Sequence, residues 1–276
     1  SVIVCASDSE FLVCFPVECD VAGKDPFLRD LNGDSFADLG FFSDQFPAGN
    51  TDGAIFIWTG GASFISSGQV TNSNLRLQGA ANFISFGSTP SVGDLDGDSL
   101  PDLFAGASAA GGTGEGYIFL GADGISTTTS ATASTRITIA GSLQLGSVGA
   151  VGDVDGDGFD DFLISDTNAG ASSGIVYLFY GRANWPANLT EDDVAASWAG
   201  ENAGDRLGAL TLRIADRDGD GFADILMESS LINSQAGRVY LIRGREARFS
   251  GAQDLNDADI TLDGANAGDR VGGSAF

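Results

Sequence analysis

Four short segments place acidic side chains at a spacing suited to one kind of chemistry. They are Asp30-Leu-Asn-Gly-Asp-Ser-Phe-Ala-Asp38, Asp94-Leu-Asp-Gly-Asp-Ser-Leu-Pro-Asp102, Asp153-Val-Asp-Gly-Asp-Gly-Phe-Asp-Asp161 and Asp216-Arg-Asp-Gly-Asp-Gly-Phe-Ala-Asp224. Each carries oxygen side chains at positions 1, 3, 5 and 9 and Gly at position 4. Oxygens at positions 1, 3 and 5 of a tight loop converge on one point. Gly33, Gly97, Gly156 and Gly219 permit the turn that brings them together. Position 7 offers a backbone carbonyl, from Phe36, Leu100, Phe159 and Phe222, and the position 9 carboxylate closes the shell. Such a set suits Ca²⁺, which takes roughly six to eight oxygens in a tolerant geometry. Mg²⁺ demands a stricter octahedron and keeps its waters. Zinc prefers His and Cys ligands, which these loops lack.

Two other readings of the loops fail or weaken. An EF-hand needs a bidentate Glu at position 12 and flanking helices. Position 12 here is Phe41, Ala105, Ile164 and Met227, each inside an apolar run. Simple Asx-turns explain one loop. Four loops with three or four carboxylates each would suffer like-charge repulsion without a cation.

The elements that must position these loops recur with them. The loops open 64, 59 and 63 residues apart. Each is followed by a short apolar strand: Leu39-Gly-Phe-Phe42, Leu103-Phe-Ala105, Phe162-Leu-Ile164 and Ile225-Leu-Met227. A third part begins with Gly and alternates apolar with aromatic residues, as in Gly53-Ala-Ile-Phe-Ile-Trp58 and Gly174-Ile-Val-Tyr-Leu-Phe-Tyr180. A fourth part alternates and ends in Gly: Leu75-Arg-Leu-Gln-Gly79, Ile137-Thr-Ile-Ala-Gly141, the weaker Ser197-Trp-Ala-Gly200, and Ile260-Thr-Leu-Asp-Gly264. A last strand leads to the next loop. Short β-branched and aromatic runs punctuated by Gly predict an all-β chain. Four strands in about 60 residues predict a β-propeller blade. Helix should be minor, with Thr190 to Trp198 as the local candidate.

The chain divides at about residue 26. Residues 1–26 carry two short strands and Cys5, Cys14 and Cys19, an odd set that allows one disulfide with the pairing open. Residues 27–276 form the repeat array, with a partial fifth repeat at 260–276. After Gly272 the next loop is due near position 279, beyond Phe276. The tract Ser126-Thr-Thr-Thr-Ser-Ala-Thr-Ala-Ser-Thr135 reads as a surface loop, and Asn188-Leu-Thr190 matches the N-glycosylation pattern.

Composition narrows the function. The formal net charge is −25, so a nucleic-acid partner is not expected. Fifteen Asp and one Asn occupy the loop positions, so about four Ca²⁺ ions account for part of the acidity. There is no His, which removes serine-triad chemistry and His-dependent zinc sites. No apolar run is long enough to span a bilayer. No basic segment and apolar run mark a leader at the start, so a secreted protein would be represented by its mature chain.

The run from Phe86-Gly-Ser-Thr-Pro-Ser-Val-Gly-Asp94 through Asp102-Leu-Phe-Ala-Gly-Ala107 resembles the FG-GAP repeat of integrin α-subunit propellers. Leu145 to Asp166 and Leu207 to Ser229 look like the same repeat, and Val271 to Phe276 looks like its opening. The resemblance implies a propeller of about 60-residue, four-stranded blades, with Ca²⁺ held between blade strands. It implies ligands at Asp30, Asn32, Asp34 and Asp38, at Asp94, Asp96, Asp98 and Asp102, at Asp153, Asp155, Asp157 and Asp161, and at Asp216, Asp218, Asp220 and Asp224. Only four loops and part of a fifth unit are present, against seven blades in that family, and residues 1–26 lack a Phe-Gly opening.

The expected function is a non-enzymatic extracellular or cell-surface adhesion or recognition module with structural calcium. It would bind a protein or glycan through a loop face. Trp185, in Arg182-Ala-Asn-Trp-Pro-Ala-Asn188, is the candidate anchor, with Trp58 and Trp198 reading equally well as packing. The alternative is a subunit of a self-assembling extracellular filament or surface layer, pairing with copies of itself through incomplete terminal repeats. A carbohydrate-active enzyme is the least favoured reading, because nearly every Asp cluster is assigned to metal.

Overall fold

The computed structural model describes residues 3–7, 10–14, 24–43, 52–61, 73–79, 85–108, 110–121, 128–129 and 132–272. A hairpin of β1 (Ile3–Ser7) and β2 (Glu10–Cys14) comes first. Its register sets Cys5 opposite Leu12 and Cys14 opposite Ile3, while Cys19 lies outside the described residues.

Four antiparallel sheets follow. The first contains β3 (Lys24–Arg29), β4 (Asp38–Ser43), β5 (Ala54–Trp58) and β6 (Leu75–Gln78), each paired with the next. The second contains β7 (Phe86–Gly93), β8 (Asp102–Ala107) and β9 (Glu115–Phe119). After the short β10 (Thr128–Thr129) it ends with β11 (Thr135–Ile137). The third contains β12 (Leu145–Gly152), β13 (Asp161–Asp166) and β14 (Ile175–Phe179), then, past the short β15 (Asn188–Leu189), β16 (Ala196–Ala199). The fourth contains β17 (Leu212–Ala215), β18 (Asp224–Ser229) and β19 (Arg238–Ile242), then, past β20 (Gly251–Gln253), β21 (Ile260–Asp263). β3 begins at Lys24, ahead of the expected start of the array at 27.

The short strands do not join their own sheets. β10 pairs parallel with β6, β15 with β11, and β20 with β16. The second, third and fourth units therefore each lend a fifth strand to the sheet before them. The tract from Ser126 to Thr135 is more than a surface loop for this reason: it supplies β10, and its last residue is buried in β11. Among the described residues, β21 has no such fifth partner.

Three apolar cores lie between consecutive sheets. Ile55, Ile57 and Leu77 of the first meet Phe86, Leu103, Ala105 and Tyr117 of the second. Phe104, Ile118 and Ile137 of the second meet Phe162, Ile164 and Phe179 of the third. Leu163, Leu178 and Trp198 of the third meet Leu212, Ile225, Met227 and Tyr240 of the fourth. Central strands such as β8 and β13 are buried on both faces, which is why they read as continuous apolar runs rather than alternating ones.

Helix is minor, as expected. The candidate at Thr190 yields only a 3₁₀ turn at Glu191–Asp193, closed by the Thr190 N–H donating to Asp193 Oδ2 at 3.0 Å. The chain then becomes β16, because Trp198 packs in the core. Two short turns at Ala169–Ser172 and Ile232–Gln235 contain left-handed residues, among them Ala171 (φ 59°) and Ser234 (φ 60°).

Candidate metal centre

Each acidic loop joins the first strand of a sheet to the second, so the pair of strands on either side fixes its ends. Within the loop the carboxylates organise the backbone. The position 1 side chain accepts the N–H of position 6: Ser35 on Asp30 at 2.6 Å, Ser99 on Asp94 at 2.8 Å, Gly158 on Asp153 and Gly221 on Asp216 at 3.0 Å. The position 5 carboxylate accepts the N–H of position 7: Phe36, Leu100, Phe159 and Phe222, at 2.7–3.0 Å. Position 4 is left-handed in every loop, with φ 72° to 79° at Gly33, Gly97, Gly156 and Gly219. Position 6 is left-handed too, at Ser35, Ser99, Gly158 and Gly221, a second constraint that the sequence reading missed. The visible signal was the restriction of position 6 to Ser or Gly.

The position 9 carboxylate is the buried anchor. One oxygen takes the N–H of position 2, as Leu31 on Asp38, Leu95 on Asp102 and Val154 on Asp161, at 2.7–2.8 Å. The other takes the N–H of the Gly that ends the third strand: Gly60, Gly121, Gly181 and Gly244, at 2.6–3.1 Å. Those glycines are the ones that stop the aromatic runs in the sequence. The position 9 Asp, which opens the second strand, thus ties its loop to the end of the third strand.

The oxygens converge unevenly. Carboxylate oxygens of Asp94, Asp96 and Asp102 lie within 4.8 Å of one another, as do those of Asp153, Asp155 and Asp161, and those of Asp216, Asp218 and Asp220. Asp98, Asp157 and Asp224 stand outside these closest triads. The first loop forms no such carboxylate triad among the described residues, since its position 3 is Asn32, whose amide donates to Asp34 at 3.1 Å.

These residues fit a hard divalent cation. The donors are all oxygen, and each carboxylate oxygen that accepts one N–H keeps a further lone pair. Burial pushes Asp102 up to about 7 and Asp161 up to about 8, with the neighbouring loop carboxylates adding to it. Burial also raises Asp96 and Asp155. A cation among them relieves this cost, because it favours the ionised form. Asp30, Asn32, Asp34 and Asp38 offer the same donors with one fewer charge.

Neighbouring loops stack. The position 8 N–H of one loop donates to the position 1 carbonyl of the loop before it, as Asp160 to Asp94 and Ala223 to Asp153, both at 2.7 Å. Pro101 holds that position in the second loop and has no N–H to give. Arg182 N–H donates to Leu95 O at 3.1 Å, and Arg245 N–H to Val154 O at 2.9 Å. Arg248 enters the third loop, donating from Nε to Asp155 and from Nη2 to Asp157. No local pattern marks this residue, since the pair is 93 positions apart in the chain.

Of the candidate aromatic anchors, Trp58 and Trp198 are buried. Trp185 is half-buried; its indole N–H donates to Leu95 O at 3.2 Å, and its ring lies 5.9 Å from Phe162 and 5.1 Å from the Arg182 guanidinium.

The FG-GAP repeat family matches residues 86–119 and 145–179, which are the second and third acidic loops with their flanking strands. The chain is 28% identical to "Integrin alpha-4" of Xenopus laevis over 164 residues, covering 54% of the chain and 15% of the relative. It is 26% identical to "Integrin alpha-5" of Xenopus laevis over 156 residues, covering 51% of the chain and 14% of the relative. The chain thus spans about one seventh of the length of these curated relatives. No helix among the described residues is long and apolar enough to cross a membrane. The repeated sheet and the loop within it agree with these matches: two of the four loop-bearing units match the FG-GAP repeat, and about half of the chain is similar to integrin α subunits.

Proposed function

We propose that this chain is a calcium-stapled propeller segment acting in extracellular adhesion or recognition, with the ions structural rather than catalytic. The observation that carries the reading is the position of the loops. Each sits where its own sheet and its neighbour meet, so an ion held there braces an interface between blades. The side chains of Asp30, Asp34 and Asp38, with Asn32, and the three later sets would hold about four ions, with the carbonyls of Phe36, Leu100, Phe159 and Phe222 completing the shells. An ion supplies fixed positive charge there, and the residues do the rest by holding strand ends together.

Recognition would fall to the loops at the rim, with Trp185 offering the half of its ring that packing leaves free, to a protein or a glycan. Arrays of immobilised glycans and extracellular proteins test this. Binding that needs calcium and is lost in Trp185→Ala, with melting unchanged, supports it. Binding by no array member to a correctly folded, calcium-loaded chain goes against it.

A specific observation favours the assembly reading as a second. The far face of the fourth sheet carries Leu226, Val239 and Leu241, and it leaves Ile260 46% and Leu262 58% exposed. In the three sheets before it, the matching face packs on the next sheet. At the other end, Phe36 is 49% exposed, whereas its counterparts Leu100, Phe159 and Phe222 pack against the preceding loop. A further repeat of this kind fits the open face, whether from the same polypeptide or from a second copy. Sedimentation at rising concentration distinguishes them: a calcium-dependent polymer supports self-assembly, and a monomer throughout opposes it.

A further inference from the structure

Residues of the fourth unit cross over the third acidic loop. Two backbone contacts fix the crossing: Arg245 N–H on Val154 O at 2.9 Å, and Phe249 N–H on the Tyr180 hydroxyl at 2.7 Å. Phe249 is buried, edge-on to Trp198 at 5.6 Å between centroids. Arg248 is held between these points. Its guanidinium lies 4.5 Å from the Tyr180 ring centre and donates to Oδ2 of both Asp155 and Asp157. The Oδ1 atoms of the same two residues are already engaged, accepting N–H groups of Asp157 at 3.2 Å and Phe159 at 3.0 Å. Arg248 therefore takes the oxygens at positions 3 and 5 that the loop's own backbone leaves open.

The second loop provides an internal comparison. One repeat earlier the same crossing is made, by Arg182 N–H on Leu95 O. The crossing residues come from the third and fourth units, which are offset by 63 residues (Arg182 to Arg245), so the counterpart of Arg248 is residue 185 (248 − 63). That residue is Trp185, whose neutral indole donates to a backbone carbonyl and brings no charge to the carboxylates. Both loops carry Asp at positions 1, 3, 5 and 9. They differ in the cation that the next unit supplies.

We infer that Arg248 is a built-in competitor for the divalent cation at the third loop, weakening that site and holding the interface between the third and fourth units when the ion leaves. The inference rests on the calcium reading of the loops. Arg248 lies three residues before β20, the strand that closes the third sheet. An empty third loop therefore keeps a protein-borne positive charge beside that strand, whereas an empty second loop keeps none from the equivalent position.

Calorimetric titration of the full chain with Ca²⁺ tests this, comparing wild type, Arg248→Gln and Trp185→Arg, each also in an Asp153→Asn background that disables the third loop. Removing a charge this close should tighten one site about tenfold, after discounting for the exposure of the guanidinium. That gain should vanish in the Asp153→Asn background. Trp185→Arg should weaken a different site by a similar factor, a result that does not depend on how Arg248→Gln folds. In chelator, Arg248→Gln should melt below wild type, and in excess Ca²⁺ that deficit should close. Calcium binding by wild type with affinities unchanged or weakened in Arg248→Gln overturns the inference alone. Wild type that takes up no Ca²⁺ overturns the calcium reading and this inference together.

Discussion

The ring of Phe159 lies on Gly97, one acidic loop below it: a methyl group added at Gly97 would come 2.6 Å from Phe159 Cε1. The relationship repeats. Phe222 stands over Gly156 at 2.8 Å by the same measure, and Leu100 over Gly33 at 3.1 Å. Position 7 of each loop is thus a knob and position 4 of the preceding loop its hole. Among the described residues, nothing lies within 4 Å of a methyl group added at Gly219.

This makes a differential prediction for substitutions with nearly the same backbone cost. Gly97→Ala and Gly219→Ala both force a left-handed alanine, at φ 74° and 79°, costing about 1–2 kcal/mol. Gly97→Ala must also displace Phe159, adding roughly 1–3 kcal/mol of overpacking. Urea unfolding should rank Gly97→Ala clearly below Gly219→Ala. Equal losses would show that the knob does not bear on its hole.

A second prediction concerns the buried position 9 acid. Both oxygens of Asp102 accept backbone N–H groups, from Leu95 at 2.7 Å and Gly121 at 2.8 Å. Asp102→Asn keeps the shape but turns an amide NH₂ toward one of those donors. A buried N–H then loses its partner, at a cost of about 1–3 kcal/mol. At pH 8, where the carboxylate is ionised, the loss should appear in chelator as well as in calcium. A variant destabilised only in calcium would mean that Asp102 acts through the ion alone.

The pH dependence without calcium follows from the same burial. Asp102 and Asp161 titrate near 7 and 8 in the fold, against 3.8 unperturbed. Between these values the folded chain holds protons that the unfolded chain has released. Stability therefore falls as pH rises from about 4 to about 8, and levels off above. In chelator the melting temperature should be higher at pH 5 than at pH 8. Calcium should oppose the trend, since it binds the ionised carboxylates. A chelated protein that grows more stable over this range would contradict the account.

Much of this architecture could be read from the residues, for a physical reason. The loops need oxygen at fixed positions and the strands need apolar runs, so Asp30 to Asp38 and its three successors mark the register of every sheet. The strands of the four sheets fall close to where the apolar runs placed them, except that β11 (Thr135–Ile137) shares only Ile137 with the expected run from Ile137 to Gly141. What stayed hidden depends on backbone pairing or on distance. β10, β15 and β20 are two or three residues long and bind through main-chain groups, so Thr128–Thr129 looked like a surface tract. The left-handed turns at Ala171 and Asn233 follow no side-chain periodicity. Arg248 meets Asp155 only because two blades pack, and no spacing in the chain announces it.

The most direct measurement is a thermal melt of the full chain in calcium and in excess chelator. A single site at tenfold excess over its dissociation constant stabilises by about 1.4 kcal/mol, so four sites should move the midpoint by about 10 °C. The account expects a sharp fall in chelator, reversed when calcium is restored and not when magnesium is supplied at equal concentration. A midpoint unchanged by excess chelator would contradict it.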